Sequence, residues 1–195
     1  MIRRREYKDY KEYLDHQAVK TLKVKAGTCG ELGPFETRLF FMKQILAWSI
    51  GPVVAHGKAV CLGARRGEEV QALRDLGFDA IGIDIVEFPL LVIKGDFHAM
   101  PFKDGTFDLV FSNAVDHAHD LPTLAWEIRR VTAPGAIVIL HLTVGEYSEE
   151  MSLGITSADD VSAVFVTAGF KVVRSESMIP YGGGINHLLV MRKCS

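Results

Sequence analysis

Read for hydrophobic period alone, the chain changes character near residue 58. From there, short apolar runs alternate with segments of helical period. The runs at 59–62, 80–84, 91–94, 107–112 and 136–142 have the length of buried strands. Between them, 68–76 puts Val70, Leu73 and Leu76 on one helical face, with Gly77 where a C-terminal cap belongs. Residues 121–131 read as a helix with Asp120 as N-cap and Pro122 in the first turn, and 158–168 as a helix capped by Ser157 and ended by Gly169. Strands at 171–177 and 187–192 close the chain around a loop holding Gly182, Gly183 and Gly184. Strands alternating with helices, then two strands with no helix between them, predict a mostly parallel α/β sheet ending in a hairpin.

The first third has a different texture. Residues 6–20 are charged, with Tyr7, Tyr10, Tyr13 and Leu14 near helical spacing. Two readings stand: a solvated helix resting a tyrosine stripe on the core, or a flap over an active site. Gly27, Gly30 and Gly33 make 24–34 a loop. Pro34 fits the start of a second helix, 35–49, and Gly51-Pro52 its end. The most apolar stretch, 39–55, contains Lys43 and Gln44 and falls short of the roughly 20 apolar residues of a membrane span. A buried amphipathic helix is expected there, not a membrane segment.

A length of 195 residues suits one domain, and no repeat or linker divides it. A formal net charge of -2 gives no general case for nucleic acid or an anionic membrane as partner. Cys29, Cys61 and Cys194 are odd in number and far apart. They form neither a disulfide framework nor a zinc spacing, which points to a reducing compartment. The basic N-terminus has no apolar segment behind it and does not read as a secretory signal, so a cytoplasmic location is expected.

The candidate chemistry centres on KAVCLGARRG, residues 58–67. A strand, a turn from Gly63 to Gly67 and a helix start can bring backbone N–H groups up to a nucleotide-like ligand. Asp84, twenty-one residues after Gly63, ends the next apolar run and can accept from ribose hydroxyls. The dinucleotide fingerprint G-x-G-x-x-G fails, because its positions read Gly63, Arg65 and Glu68. An ordinary β–α turn of a doubly wound sheet would show the same pattern.

Further on, the run VIKGDFHAMPFKDGTFDLVFSNAVDHAHD, 92–120, is followed by LAWEIRRVTAPGAIVIL, 124–140. Together these resemble the class I S-adenosylmethionine-dependent methyltransferases, in the methyltransferase type 11-like branch. The matching positions are Gly95-Asp96, Met100-Pro101-Phe102, Asp104-Gly105-Thr106-Phe107-Asp108, Ser112, His117, Glu127, Arg130-Val131 and Pro134-Gly135. The resemblance implies a Rossmann-like three-layer sandwich with a seven-stranded sheet in the order 3-2-1-4-5-7-6, strand 7 antiparallel. The core would span 56–195, behind a helical cap at 1–55. It further implies S-adenosylmethionine as cofactor and S-adenosylhomocysteine as product. Gly63, Ala64, Arg65 and Gly67 would face the methionine part and Asp84 the ribose. Ile85 would pack on the adenine, Asp96 and the Phe97 backbone N–H would meet its polar edge, and Asn113 would lie near the amino-acid end.

Three departures qualify the resemblance. Arg65 stands at the central glycine of the usual G-x-G-x-G, and Cys61 at the usual acidic position of the first strand. Only eleven residues separate Asp84 from Asp96, with Pro89 among them. The helix between strands 2 and 3 is therefore expected to be missing or reduced, leaving the adenine side open. The candidate bases are His117, Asp116 and His141, at the strand ends where an acceptor would sit. Asp116, His117, His119 and Asp120 crowd one short loop, so no metal site is expected. The motif [DN]-P-P-[YFW] is absent after strand 4, where Ser112-Asn113-Ala114-Val115 stands, which speaks against nucleic-acid bases as substrate. The acceptor is expected to be a small molecule. The rival reading, supported by Arg65, Cys61 and the missing helix, is a degenerate module acting through protein contacts without catalysis. Nothing in the sequence fixes an oligomeric state.

Overall fold

The computed structural model describes residues 2–25, 33–51, 57–145, 148, 151–182 and 184–194. Most of the expected glycine loop, 26–32 with Cys29, lies outside them, as do Pro52 and Gly183. In chain order the elements are β1 (Ile2–Arg4), α1 (Tyr10–Lys25), α2 (Phe35–Ile50), β2 (Lys58–Leu62), α3 (Glu68–Asp75), β3 (Asp79–Asp84), β4 (Val92–Lys94) and β5 (Phe107–Ser112). A 3-10 turn follows at Val115–His117. Then come α4 (Leu121–Val131), β6 (Thr132–Leu142), β7 (Leu153–Ile155), α5 (Ala158–Thr167), β8 (Phe170–Tyr181) and β9 (Ile185–Lys193).

Seven strands pair in the order β4-β3-β2-β5-β6-β9-β8. β9 runs antiparallel to both neighbours and the other pairs are parallel. This is the expected 3-2-1-4-5-7-6 topology. Strand alternation divides the apolar side chains between two faces. Val60, Leu62, Val110, Val138 and Leu140 join α4 and α5 in one core cluster. Ala59, Cys61, Leu109, Phe111, Ile137 and Ile139 join α2 and α3 in the other. With both faces covered, the central strands are apolar throughout, which is why they read as continuous runs. Asp120 caps α4 by accepting from Thr123 N at 2.9 Å, and Ser157 caps α5 by accepting from Asp159 N at 3.1 Å. Among the described residues, no helix is long and apolar enough to cross a membrane.

The β3–β4 connection, 85–91, forms turns and no helix. So short a parallel crossover is feasible because β4 has three residues, and they pair with the last three of β3, Gly82 to Asp84. The chain therefore has to travel back only about 7 Å along the strand direction. A tight reversal does this: Phe88 and Val92 exchange both backbone hydrogen bonds at 2.9 and 2.8 Å, leaving Leu90 at the tip with φ 70 and 93% exposed.

The N-terminal segment is arranged differently from its sequence pattern. β1 pairs antiparallel with β7, Ile2 opposite Ile155, and this two-stranded unit ties the N-terminus to the region before α5. The first helix begins at Tyr10, later than the tyrosine spacing suggested, and continues to Lys25. Gln17 Nε2 donates to Ser152 Oγ at 3.0 Å, and Tyr7 OH lies 2.9 Å from the same oxygen. These bonds dock α1 across the C-terminal ends of the central strands.

Candidate active site

The turn after β2 owes its shape to two glycines. Gly63 has φ 69, and a Cβ there would lie 2.6 Å from that of Ala114. Gly67 has φ 85, and its Cβ would meet that of Leu91 at 2.7 Å. Both positions combine a left-handed backbone with close packing, so neither takes a side chain. Between them Arg65 also adopts positive φ, 44°, an uncommon conformation for a residue with a Cβ. Its backbone N–H donates to Asp84 Oδ2 at 3.0 Å, which locks the turn onto the end of β3.

Asp84 is 5% exposed. Its Oδ1 accepts from Val86 N at 3.2 Å and from the Thr21 hydroxyl of α1 at 3.3 Å. The carboxylate thus fixes both its own loop and the glycine turn, and it is capped from above by a hydroxyl.

Asp96, just past β4, is capped the same way. Tyr10 OH donates to its Oδ2 at 2.5 Å, while His98 N and Nδ1 reach Oδ1 at 2.8 and 3.0 Å. His98 Nε2 accepts the backbone N–H groups of His119 and Asp120 at 3.2 and 3.3 Å. Its proton therefore sits on Nδ1, aimed at Asp96. Burial opposes ionisation of Asp96, but the His98 and Tyr10 hydrogen bonds outweigh it and hold the carboxyl below its ordinary pKa. Burial and the bond to Asp96 push the Tyr10 phenol well up. The adenine side expected to be open is in fact roofed: Tyr10 and Tyr13 stack about His98 and His119, with Tyr13 only 3% exposed.

Between these carboxylates and α1 runs a cleft of about 430 Å³, counting the space at its mouth. Gly63, Arg65, Asp84, Ile85, Asp96 and Phe97 line its floor and Tyr13, Gln17, Lys20 and Thr21 its roof. Ala114 and His117 close the end beyond β5. At that end Lys20 Nζ lies 2.8 and 3.1 Å from the two ring nitrogens of His117. Burial, then the charges of Lys20 and Arg65, hold the His117 pKa well below its ordinary value, so the ring is neutral and can accept from the ammonium. Asp116, beneath, is 7% exposed. Burial raises its pKa to about 6, against the pull of Lys20 and Arg65.

Residues 60–140, shaped into this strand-end cleft, match the family model described as a methyltransferase domain. By that match, residues 60–140 are a methyltransferase domain. The chain is 53% identical over 66 residues to the malonyl-[acyl-carrier protein] O-methyltransferase of Halorhodospira halophila, covering 29% of this chain and 22% of that protein. It is 26% identical over 195 residues to 24-methylenesterol C-methyltransferase 3 of Arabidopsis thaliana, covering 88% and 49%. The chain thus spans half or less of the length of these curated relatives. In fold it resembles the Burkholderia thailandensis 1,6-didemethyltoxoflavin-N1-methyltransferase, solved with 1,6-didemethyltoxoflavin and S-adenosylhomocysteine bound. The TM-score is 0.77 at 15% identity, covering 100% of this chain and 95% of that one.

Not every expected residue reaches the methyltransferase cleft. Ala64 and Gly67 shape the turn without lining the space, and Asp116 lies below it. Asn113 turns to the α2 side, where Nδ2 donates to Glu69 Oε1 at 3.1 Å. Glu69 also pairs with Arg38 at 3.0 Å, with side chains 5% and 14% exposed. His141 is 1% exposed and outside the lining. It bonds Ser49 Oγ at 2.9 Å and Tyr181 OH at 2.5 Å, and burial pushes its pKa down to about 3. The residues missed by sequence reasoning are Gln17, Lys20 and Thr21 of α1, with Ala114. Among the methyltransferase motif residues, Glu127 and Arg130 serve the scaffold. Glu127 Oε1 accepts from Met100 N at 2.6 Å, and Arg130 donates to the carbonyls of Met100 and Phe102 at 2.9 and 2.8 Å. They fasten the 100–104 loop to α4. Among the described residues, no group of three or more His, Cys, Asp or Glu is placed to hold a metal ion.

Proposed function

We propose that the chain transfers the methyl group of S-adenosylmethionine to a small-molecule acceptor, releasing S-adenosylhomocysteine. The observation that carries this reading is the convergence of Gly63, Arg65, Asp84, Ile85, Asp96 and Phe97, from three successive strand ends, on one cleft. The donor and acceptor chemistry fits an adenosine with an amino-acid tail. Asp84 accepts from the ribose hydroxyls and Asp96 from the adenine amino group. Ile85 and Phe97 cover the ring faces, and the Phe97 N–H meets a ring nitrogen. Gly63 allows close approach of the methionine part, and Arg65 reaches its carboxylate. Ala64, Gly67 and Asn113 support the turn and the amino-acid end from just outside the cleft.

When bound, the cofactor supplies a methyl group already activated on a sulfonium. The side chains have only to orient the acceptor in line and exclude water. The relatives named above are an O-, a C- and an N-methyltransferase, so the acceptor atom must be read from this chain's own residues. Where an acceptor must lose a proton, neutral His117 is the base that lines the cleft, with Asp116 beneath it. The same reading expects a cytoplasmic protein acting on neither membrane nor nucleic acid.

Calorimetric titration with S-adenosylmethionine and S-adenosylhomocysteine tests the first half, and a methyl-donor screen of small-molecule extracts the second. Absence of binding by both would refute it. The second reading, a degenerate module working through protein contacts, draws on Arg65 lining the cleft and on the hydroxyls that already cap Asp84 and Asp96. Binding seen only after Arg65→Gly would favour it.

A further inference from the structure

Polar bonds tie α1 to the cleft floor, and they end on residues that the proposed ligands need. Tyr10 OH donates to Asp96, the Thr21 hydroxyl donates to Asp84, and Lys20 Nζ meets His117. A cofactor's amino group and ribose hydroxyls would compete for the first two. A further tie lies elsewhere. Gln17 Nε2 donates to Ser152 Oγ at 3.0 Å, and Tyr7 OH is 2.9 Å from the same oxygen. Ser152 is 1% exposed and stands outside the cleft lining. Its backbone is fixed to the body independently. The N–H donates to Asp116 O and the carbonyl accepts from Arg5 N, both at 2.8 Å.

We propose that Ser152 is the latch of a lid: its hydroxyl holds α1 closed over the cleft, and the helix lifts from it whenever the cofactor enters or leaves. The part played by the cofactor rests on the methyltransferase reading above. Tyr13, Gln17, Lys20 and Thr21 form the roof, so a ligand lying on Asp84 and Asp96 is covered from above. The cleft, about 430 Å³ with its mouth, is at the low end of the roughly 300–1,000 Å³ of small-molecule sites. β1, paired with β7, keeps the start of the segment on the body while α1 lifts. The bonds to be broken are cheap to open, because water replaces each partner as the helix rises.

The latch differs from the other ties in what it does to binding. Ribose hydroxyls and an amino group displace Thr21 and Tyr10, so those two bonds are made in the empty protein and lost in the loaded one. They bear on affinity. Ser152 lies outside the cleft, so its bond to Gln17 is made in both closed states, empty and loaded. It cancels from the equilibrium and appears in the rates, as a resistance to opening from either side. Ser152 is thus a positioning residue: it seats the roof and touches no reacting atom.

Ser152→Ala removes the hydroxyl and keeps both backbone bonds. Opening is read without ligand by thiol labelling of Thr21→Cys, followed by peptide mass, with Cys61 in the core of β2 as the marker of global unfolding. The thiol at position 21 is expected to label at least ten-fold faster than Cys61, and Ser152→Ala to speed it about five-fold, the worth of one hydrogen bond. Labelling no faster than Cys61, or unchanged by Ser152→Ala, overturns the proposal. Stopped-flow mixing with S-adenosylhomocysteine, with Thr21 in place, reads entry and exit. Ser152→Ala should quicken association and dissociation at least three-fold each, with Kd within two-fold of wild type. Unchanged rates, or a Kd that moves as much as the rates do, overturn it as well. Tyr7→Phe takes one partner from the same oxygen and leaves Ser152 intact. It should shift both rates in the same direction, and it serves where Ser152→Ala does not fold. Failure of the wild type to bind S-adenosylhomocysteine refutes the methyltransferase reading instead, and the labelling, which needs no ligand, still decides the latch.

Discussion

Replacing Asp84 separates the job its carboxylate performs in the turn from the one proposed for it in cofactor binding. The side chain is 5% exposed and accepts the backbone N–H groups of Arg65 and Val86. Asp84→Ala leaves both donors without that partner, in a place water reaches poorly. At about 1–3 kcal/mol per buried unsatisfied group, a stability loss of roughly 2–4 kcal/mol is expected. Cofactor binding should suffer separately. Hydrogen bonds from ribose hydroxyls to a charged acceptor contribute about 1.5–3 kcal/mol, or roughly 10- to 150-fold in Kd. Urea denaturation measures the first quantity, and calorimetry with S-adenosylhomocysteine, at a temperature where the variant is folded, measures the second. Asp84→Asn keeps the shape and one acceptor, and should fall between wild type and alanine on both scales. A folded Asp84→Ala protein that binds within two-fold of wild type would refute the ribose assignment. A loss of stability below about 1 kcal/mol would refute the account of the turn.

Thr21→Val removes the hydroxyl that competes for Asp84 across 3.3 Å, so S-adenosylhomocysteine should bind about 2- to 10-fold more tightly by calorimetry. Weaker binding would mean that the hydroxyl stays in the loaded site as a partner. Arg65→Gly relieves a backbone at φ 44 by about 1–2 kcal/mol, largely offset by the entropy that glycine loses on folding. Stability should therefore change little, while cofactor affinity falls or stays level; a gain in affinity would show that the guanidinium blocks the site. The pKa of Asp116, raised by burial to about 6, means that the native state holds this proton more tightly than the unfolded chain does. Its contribution is favourable below pH 4, is lost between pH 4 and 6, where the unfolded chain has released this proton and the buried native carboxyl still holds it, and is flat above. Asp116→Asn should remove that fall, on the order of 2–3 kcal/mol, in urea melts taken across the range. Parallel pH profiles for the two proteins would contradict it.

The sheet was legible because burial on both faces left long apolar runs, and helix caps such as Asp120 and Ser157 marked what lay between them. The cleft floor was legible because strand ends are fixed by the strands. Once 80–84 and 91–94 are strands, Asp84 and Asp96 fall at the same edge. The roof was not. Contacts of α1 with the body are largely polar, made by Tyr10, Gln17, Lys20 and Thr21, and polar contacts leave no hydrophobic period. Only its tyrosines hinted at a flap. β1 and β7 have three residues each, too few for alternation to show, and they pair across almost the whole chain. The open adenine side was expected from a correct premise, the missing helix, but nothing local to residues 85–91 reveals that Tyr10 roofs Asp96. His141 is a different lesson. It shares strand parity with Ile137 and Ile139, so strict period-two reading puts it against α2, where Ser49 receives it.

The abbreviated crossing between β3 and β4 opens a practical route. Its tip, Leu90, projects into solvent, while Phe88 and Val92 close the chain beneath it like a clasp. The strands on either side are held in register from Gly82 to Lys94, so the spacing of the two cleft carboxylates does not depend on what lies above the clasp. A reporter peptide or a whole fluorescent domain spliced in at Leu90 would sit between Asp84 and Asp96 in the chain yet outside the fold. Loading of the cleft could then be read as light, with no substrate named in advance.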